Sequence, residues 1–65
     1  MEEIIYAVNE DIEKVENLLF DNFIEPLDIY QINRYPYELI VHIKRSDDAE
    51  FKRVLSDYGI GFEWA

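Results

Sequence analysis

His42 and Glu38 are the residues of this 65-residue chain whose types and spacing come nearest to catalytic chemistry. Four residues apart in an alternating segment, they lie on one face of a strand, where a histidine and a carboxylate can exchange a proton or share a metal. A zinc site needs three or four convergent ligands, and the chain has no second histidine and no cysteine. We therefore interpret His42 as a strand residue with a solvated tip, and we expect no metal site.

The acidic run Asp47-Asp48-Ala49-Glu50 is the second candidate. It lacks the D-x-D-x-D-G spacing of a calcium loop, and Asp47 with Glu50 makes a capping-box pattern at the start of a helix. Ser46 and Ser56 have no base partner in the sequence that indicates a nucleophile. We expect no catalytic residue and no cofactor, and we rank a small enzyme that uses His42 third among the hypotheses.

The charge of the chain is strongly negative and unevenly placed. The net charge is −9, which opposes binding to nucleic acid or to an anionic membrane because both are also negative. Residues 1–33 hold nine acids and one base, giving −8, whereas residues 34–65 hold six acids and five bases, giving −1. The expected partners are therefore proteins with basic surfaces.

The first half of the chain contains its longest periodic segment. Asn9 is the predicted N-cap, Pro26 cannot continue a helix, and the pattern predicts a helix from Glu10 to Ile24. Apolar residues at spacings of three and four form a stripe that we expect to face the core. They are Ile12, Val15, Leu19 and Phe23, with Leu18 and Phe20 on the flanks.

The opposite face of this helix carries a row of carboxylates that we predict to bind the partner. They are Glu10, Glu13, Asp21 and Glu25, with Asp28 close behind in sequence. Carboxylates one turn apart are separated by about 5.4 Å, while successive phosphates of a nucleic-acid strand rise about 3.4 Å along the axis. Such a row can imitate a nucleic-acid backbone in a basic groove. Lys14 is the only base on this face, although mixed charges would stabilise the helix better.

The remaining elements are four strands and a second helix. Strands are predicted at Glu3–Val8, Leu27–Asn33 and Tyr37–Lys44, a helix from Ser46 or Asp47 to the stop at Gly59, and a short last strand at Ile60–Trp64. The order βαββαβ, or βαββα without the last strand, predicts a small ferredoxin-like α+β fold in which both helices cover one face of an antiparallel sheet. We expect residues 1–65 to form one domain.

The uncovered face of the sheet is a second candidate interface. We predict that Tyr30 lies opposite Leu39 in the hairpin, with a trans peptide bond at Tyr35–Pro36. This register places Tyr30, Ile32, Leu39 and Val41 under the helices. It leaves a partly apolar set on the open face, which a partner or a second copy could cover. The predicted set is Ile29, Ile40, His42 and Trp64.

Two function hypotheses follow from these surfaces. The first is a non-catalytic acidic inhibitor that occupies a basic groove, a monomer or homodimer that binds neither nucleic acid nor membrane directly. In size and acidity the chain resembles the small phage inhibitors of host defence, including anti-restriction and anti-CRISPR proteins, and that resemblance implies a nucleic-acid-binding protein as target. The second is a ferredoxin-like regulatory or assembly module that associates through its open sheet face. With neither a secretory signal nor a membrane span in the sequence, we expect a cytoplasmic protein.

Overall fold

Four strands and two helices follow one another along the chain in the predicted order. The computed structural model describes residues 2–65. Its elements are β1 (Glu3–Val8), α1 (Ile12–Asp21), β2 (Asp28–Asn33), β3 (Glu38–Lys44), a 3-10 turn (Arg45–Asp47) that runs into α2 (Asp48–Asp57), and β4 (Phe62–Trp64). The strands form one antiparallel sheet in the order β2-β3-β1-β4. The predicted α+β, ferredoxin-like βαββαβ fold is confirmed, including its last strand.

A single apolar cluster joins both helices to one face of the sheet. Tyr6 lies at its centre, stacked on Phe51 of α2 at 5.1 Å between ring centroids and met edge-on by Phe62 of β4 at 5.5 Å. The cluster comprises Tyr6, Val8, Val15, Leu18, Leu19, Ile24, Leu39, Val41, Ile43, Phe51, Val54, Leu55 and Ile60. In the described part of the chain, no helix has the length and apolar character needed to cross a bilayer.

The hairpin register differs from the predicted one by a single residue. Tyr30 pairs with Ile40 and Ile29 with Val41, because a bulge between Gln31 and Asn33 adds a residue to β2 near the turn. Side chains alternate along a strand, so this shift exchanges the two faces of β2. The predicted inward position of Tyr30 was wrong: Ile29 packs against the core, while Tyr30 joins the open face.

The other predicted inward residue of β2 is also displaced. Ile32 is exposed rather than packed under the helices, whereas Leu39 and Val41 are buried as predicted. The peptide bond between Tyr35 and Pro36, in the turn that follows β2, is cis and not trans as expected.

Helix α1 is shorter at both ends than the sequence pattern predicts. It begins at Ile12, with Asp11 rather than Asn9 as its N-cap. The backbone N–H of Asn9 donates to the Gly61 carbonyl oxygen at 2.9 Å and so ties the end of β1 to the segment before β4. The helix ends at Asp21, well before Pro26. Pro26 is therefore not what ends the helix.

Helix α2 ends in a Schellman motif, the hydrogen-bonded turn that commonly closes a helix. The Ile60 amide donates to the Leu55 carbonyl oxygen at 2.9 Å, and the Gly59 amide donates to the Ser56 carbonyl oxygen at 3.1 Å. Gly59 has a φ of +68°, and Ile60 folds back into the core. The predicted stop at Gly59 is confirmed, since a left-handed position of this kind favours glycine.

Helix α1 ends in the same motif with phenylalanine at the left-handed position. The Ile24 amide donates to the Leu19 carbonyl oxygen at 2.9 Å, and the Phe23 amide donates to the Phe20 carbonyl oxygen at 3.1 Å. Phe23 has a φ of +60°, and its side chain is 96% exposed. Its predicted place in the apolar stripe was wrong: the buried residue is Ile24, which the turn brings back onto the core. A left-handed non-glycine residue costs about 1–2 kcal/mol.

Candidate functional site

Each acid of α2 is paired with a base of the same helix. The Arg53 guanidinium bonds both Glu50 and Asp57, and Lys52 lies 3.1 Å from Asp48. The pKa of Arg53 is raised, first by its hydrogen bond to Glu50, and that bond likewise lowers the pKa of Glu50. Asp47 makes no side-chain hydrogen bond to the helix start, so the predicted capping box does not form. The outer face of α2 is therefore occupied by internal ion pairs.

Helix α1 has one ion pair near its start and uncompensated acids beyond it. Lys14 lies 3.3 Å from Glu10. The Glu10 carboxylate also accepts the Asp11 amide at 2.9 Å, and this backbone hydrogen bond is the largest cause of its lowered pKa. The other predicted binding residues are exposed, and within residues 2–65 none of them forms an ion pair. They are Glu13, Asp21, Glu25 and Asp28. Glu16 is likewise exposed and without an ion pair in this part of the chain.

The contrast between the helices is clearest where their ends correspond. The segments LFDNFI (19–24) and LSDYGI (55–60) occupy equivalent positions of the two Schellman motifs and share Leu, Asp and Ile. On α2, Asp57 bonds to Arg53, one turn before it. On α1, the residue one turn before Asp21 is Asn17, which supplies no charge. The carboxylate of Asp21 therefore stays uncompensated.

The structure groups some of the predicted binding residues and separates others. Glu13 and Asp21 lie on the outer face of α1, about 12 Å apart along the helix axis, and Glu25 follows the turn. Glu10 belongs to the same helix end as Lys14, which partly neutralises it. Asp28 opens the edge strand β2 and accepts the amide of the next residue, Ile29, at 2.9 Å. We call the set Glu13, Glu16, Asp21 and Glu25 the α1 acidic face.

Two phenylalanines within this face were not predicted to be exposed. Phe20 is 80% exposed and Phe23 is 96% exposed. With Glu16, Ile24, Glu25 and Pro26 they line a shallow groove of about 410 Å³. The sequence does hold a signal for this: LFDNFI has Phe at the two places where LSDYGI has Ser and Gly. Phenylalanine at helical spacing is ordinarily buried, so the sequence pattern predicts Phe23 in the apolar stripe and Phe20 on its flank.

The open sheet face holds only part of its predicted set. Ile40 and His42 point away from the helices, beside Ile5 and Tyr30 in the register. The other two members are misplaced. Ile29 packs against the core, and Trp64, paired with Tyr6 across the β1–β4 ladder, lies at the edge of the helix-covered face.

His42 is more enclosed than predicted. Its side chain is 19% exposed, its Nδ1 lies 3.0 Å from a Glu3 carboxylate oxygen, and its ring centroid is 5.9 Å from that of Tyr30. Nε2 is buried and has no hydrogen-bond partner among residues 2–65. The predicted solvated tip was wrong, because the shifted register brings Tyr30 over the imidazole.

The acidic run of α2 stabilises the fold through one long-range contact. The Tyr6 hydroxyl donates to the Asp48 carboxylate, which lies 42 residues further along the chain. Burial, followed by this bond, raises the pKa of Tyr6, and the bond is the largest cause of the lowered pKa of Asp48. In the part of the chain described, no three histidine, aspartate or glutamate side chains converge to hold a metal.

Comparison with known proteins identifies no relative: no family model, no curated protein and no solved structure matches this chain significantly.

Proposed function

We propose that this protein is a non-catalytic, acidic binding protein that inhibits a target by occupying its basic groove with the α1 acidic face. One observation carries the proposal: the acids of α2 are paired with bases, whereas Glu13, Glu16, Asp21 and Glu25 have no ion pair among residues 2–65. A carboxylate without an internal counter-charge exerts its full field on an approaching base.

The placement of these acids favours a specific contact over a diffuse attraction. Glu13, Glu16 and Asp21 are borne by a helix whose inner side, at Val15 and Leu19, is fully buried in the core. Their spacing is therefore fixed before binding, which reduces the entropy lost when a partner docks. Glu13 and Glu16, which are three residues apart, repel each other by a few tenths of a kcal/mol, a cost that a basic partner removes.

The finer form of the proposal is nucleic-acid mimicry. In this form the target is a nucleic-acid-binding protein, and the carboxylates spaced along α1 from Glu13 to Asp21 take the places of backbone phosphates. The likeness in size and acidity to phage anti-restriction and anti-CRISPR proteins supports a target in host defence. A partner of this class is displaced by nucleic acid and by salt.

Charge reversal tests the proposal. The protein is immobilised and used to capture partners from host lysate, which are then eluted with salt or with added nucleic acid. We expect Glu13→Lys/Asp21→Lys to lose the captured protein, and binding by the wild type to fall about tenfold or more between 0.1 and 0.5 M salt. Glu38→Lys/Glu63→Lys is the matched control, because it makes the same change in net charge on the open sheet face. Neither Glu38 nor Glu63 forms an ion pair among residues 2–65.

Retention of the partner by Glu13→Lys/Asp21→Lys, or binding that does not respond to salt, contradicts the proposal. If salt releases the captured partner but nucleic acid does not, the proposal of an acidic binding surface stands and the proposal of nucleic-acid mimicry is contradicted.

A second candidate function rests on the open sheet face. Ile5 and Tyr30 are both exposed there beside Ile40, and helices cover only the other side. In this alternative the protein is a ferredoxin-like regulatory or assembly module that pairs through the sheet. Light scattering on the isolated wild type would then give a dimer mass and Ile40→Glu a monomer mass. A wild-type monomer at 100 µM removes this alternative in its homodimer form.

A further inference from the structure

The two exposed phenylalanines of α1 stand where the equivalent turn of α2 has small residues. Phe20 corresponds to Ser56 and Phe23 to Gly59. The two turns are closed by equivalent hydrogen bonds, and each is followed by a buried isoleucine at the equivalent position. The chain therefore demonstrates that this turn folds without either aromatic ring. Neither ring is needed for the core, because both side chains lie almost entirely in solvent.

The backbone at Phe23 strengthens the contrast. A φ of +60° is unfavourable for a bulky side chain, and it is the conformation that holds this ring away from the core. At the corresponding position of α2 the chain uses glycine. An unfavourable conformation that exposes an apolar side chain is better explained by a use of that side chain than by folding.

The groove that the two rings help to line is mainly apolar, and two carboxylates belong to its lining. Ile24 and Pro26 are its other apolar residues, and the carboxylates are those of Glu16 and Glu25. Neither carboxylate forms an ion pair within the described chain, and Lys14, the only base on this helix, is held by Glu10. The complement of such a groove is a large apolar side chain with positive charges on either side.

We propose that the groove lined by Phe20 and Phe23 binds a basic protein segment in which Lys or Arg residues flank a large apolar side chain. The apolar side chain packs against the two rings in the groove, and the flanking bases meet Glu16 and Glu25. This inference rests on the proposed function and adds to it, because a row of carboxylates alone would select any basic groove. The aromatic groove selects a basic surface that presents an apolar anchor.

A second copy of the chain does not fit the groove. The patch is bordered by acids in each copy, so two of them repel, and the bases of α2 are already held by its own carboxylates. Arg34 and Lys44 form no ion pair among residues 2–65. Arg34 lies in the turn before β3 and Lys44 at the far end of that strand, so the two cannot flank a single apolar side chain. We therefore expect the bases that meet Glu16 and Glu25 to come from another protein.

Two short peptides of equal charge test the inference. The probes are acetyl-KRWRK-amide and acetyl-KRSRK-amide, titrated into ¹⁵N-labelled protein at low salt and followed by chemical-shift changes. For the wild type we expect the tryptophan peptide to bind about tenfold more tightly than the serine peptide, with the largest shifts in residues 16–26.

The variant Phe20→Ser/Phe23→Gly gives α1 the turn residues of α2 and is expected to fold. It should bind both peptides equally, at the wild-type affinity for the serine peptide. The matched control Tyr58→Ser removes another exposed aromatic, at the end of α2, and should keep the tenfold preference.

Each remaining outcome overturns the inference. Equal affinity of the wild type for both peptides, when both are lost in Glu13→Lys/Asp21→Lys, removes the aromatic groove and leaves the proposed function standing. Binding of neither peptide at millimolar concentration removes both. A tryptophan preference that survives in Phe20→Ser/Phe23→Gly places the apolar contact elsewhere. Shifts in residues 16–26 on dilution of the protein alone show that a second copy occupies the groove.

Discussion

Asp48 shows how one residue acquires a role that its sequence neighbours do not reveal. The pattern around it predicts helix-start chemistry, and Asp48 does lie in the first turn of α2. Its carboxylate also accepts the hydroxyl of Tyr6, the buried aromatic at the centre of the core. That contact depends on β1 and α2 meeting in the fold, so local spacing carries no signal for it.

This contact predicts an acid-sensitive part of the stability. The folded pKa of Asp48 is lowered from 3.8, so its stabilising effect is complete above that value and is lost as the pH falls through the folded pKa. We expect Asp48→Ala to reduce the free energy of unfolding by about 1–3 kcal/mol at pH 7, since it leaves the Tyr6 hydroxyl unpaired.

Urea unfolding between pH 7 and pH 2 measures this effect. Asp48→Asn retains an acceptor oxygen but not the charge, so its stability should fall less steeply below pH 4 than that of the wild type. Asp47→Asn is the matched control, since Asp47 has no side-chain cap bond and no ion pair in the described structure. The same slope for wild type and Asp48→Asn would contradict this account.

The two helices show what the sequence could and could not predict about an element. Both helices are located by apolar residues at spacings of three and four, and the glycine stop of α2 is where it was expected. The stop of α1 was missed because phenylalanine rarely takes a left-handed conformation. Its signal was available only by comparing LFDNFI with LSDYGI, and not from the propensity of either residue.

The helix ends make a paired stability prediction. Phe23→Gly removes the left-handed penalty of about 1–2 kcal/mol and adds freedom to the unfolded chain worth about 0.4–1 kcal/mol. We expect a net gain of about 0.5–1 kcal/mol in the free energy of unfolding, while peptide binding weakens. Gly59→Ala, whose added Cβ meets nothing within 4 Å, should lose about 1 kcal/mol.

Thermal and chemical unfolding of both variants provide the measurement. A Phe23→Gly protein less stable than the wild type would show that the exposed ring contributes to folding, and would remove the argument that it is held in place for binding.

For the strands, the buried positions of β3 were predicted correctly but the pairing of β2 was not. Alternation placed Leu39 and Val41 in the core, as observed. The pairing of β2 was wrong because a bulge adds one residue near the turn, and the number of residues in a turn does not specify a bulge. This extra residue explains why the composition of the open sheet face was mispredicted, since it places Ile29 against the core and Tyr30 beside His42.

At the scale of the whole molecule, the charge asymmetry of the sequence becomes a difference between two helices. The sequence predicted the excess of acid in the first half of the chain. The neighbouring acids and bases of α2 predict ion pairs at Glu50 and Asp57, and Arg53 makes both. Pairs such as Arg45 with Glu2 join residues far apart in the chain and carry no local signal. The structure leaves an uncompensated acidic face on α1 and an internally paired face on α2.

This arrangement gives the molecule two different exposed surfaces. The α1 acidic face adjoins an aromatic groove, which Glu16 and Glu25 help to line. The open sheet face presents Ile5, Tyr30 and Ile40 around an enclosed histidine. The proposed function requires the first surface, and the alternative requires the second. The strands β2 and β3 contribute to the open face, whereas α1 lies on the other side of the sheet. The residues protected by a bound partner therefore distinguish the proposed function from the alternative.

Hydrogen exchange of the protein, free and bound to the partner recovered by capture, is the most direct test of the claim that α1 is the binding surface. The account predicts slower amide exchange within residues 13–26 on binding, and no change in β2 and β3. Protection confined to residues 28–44, with α1 unchanged, would contradict it and place the interface on the open sheet face.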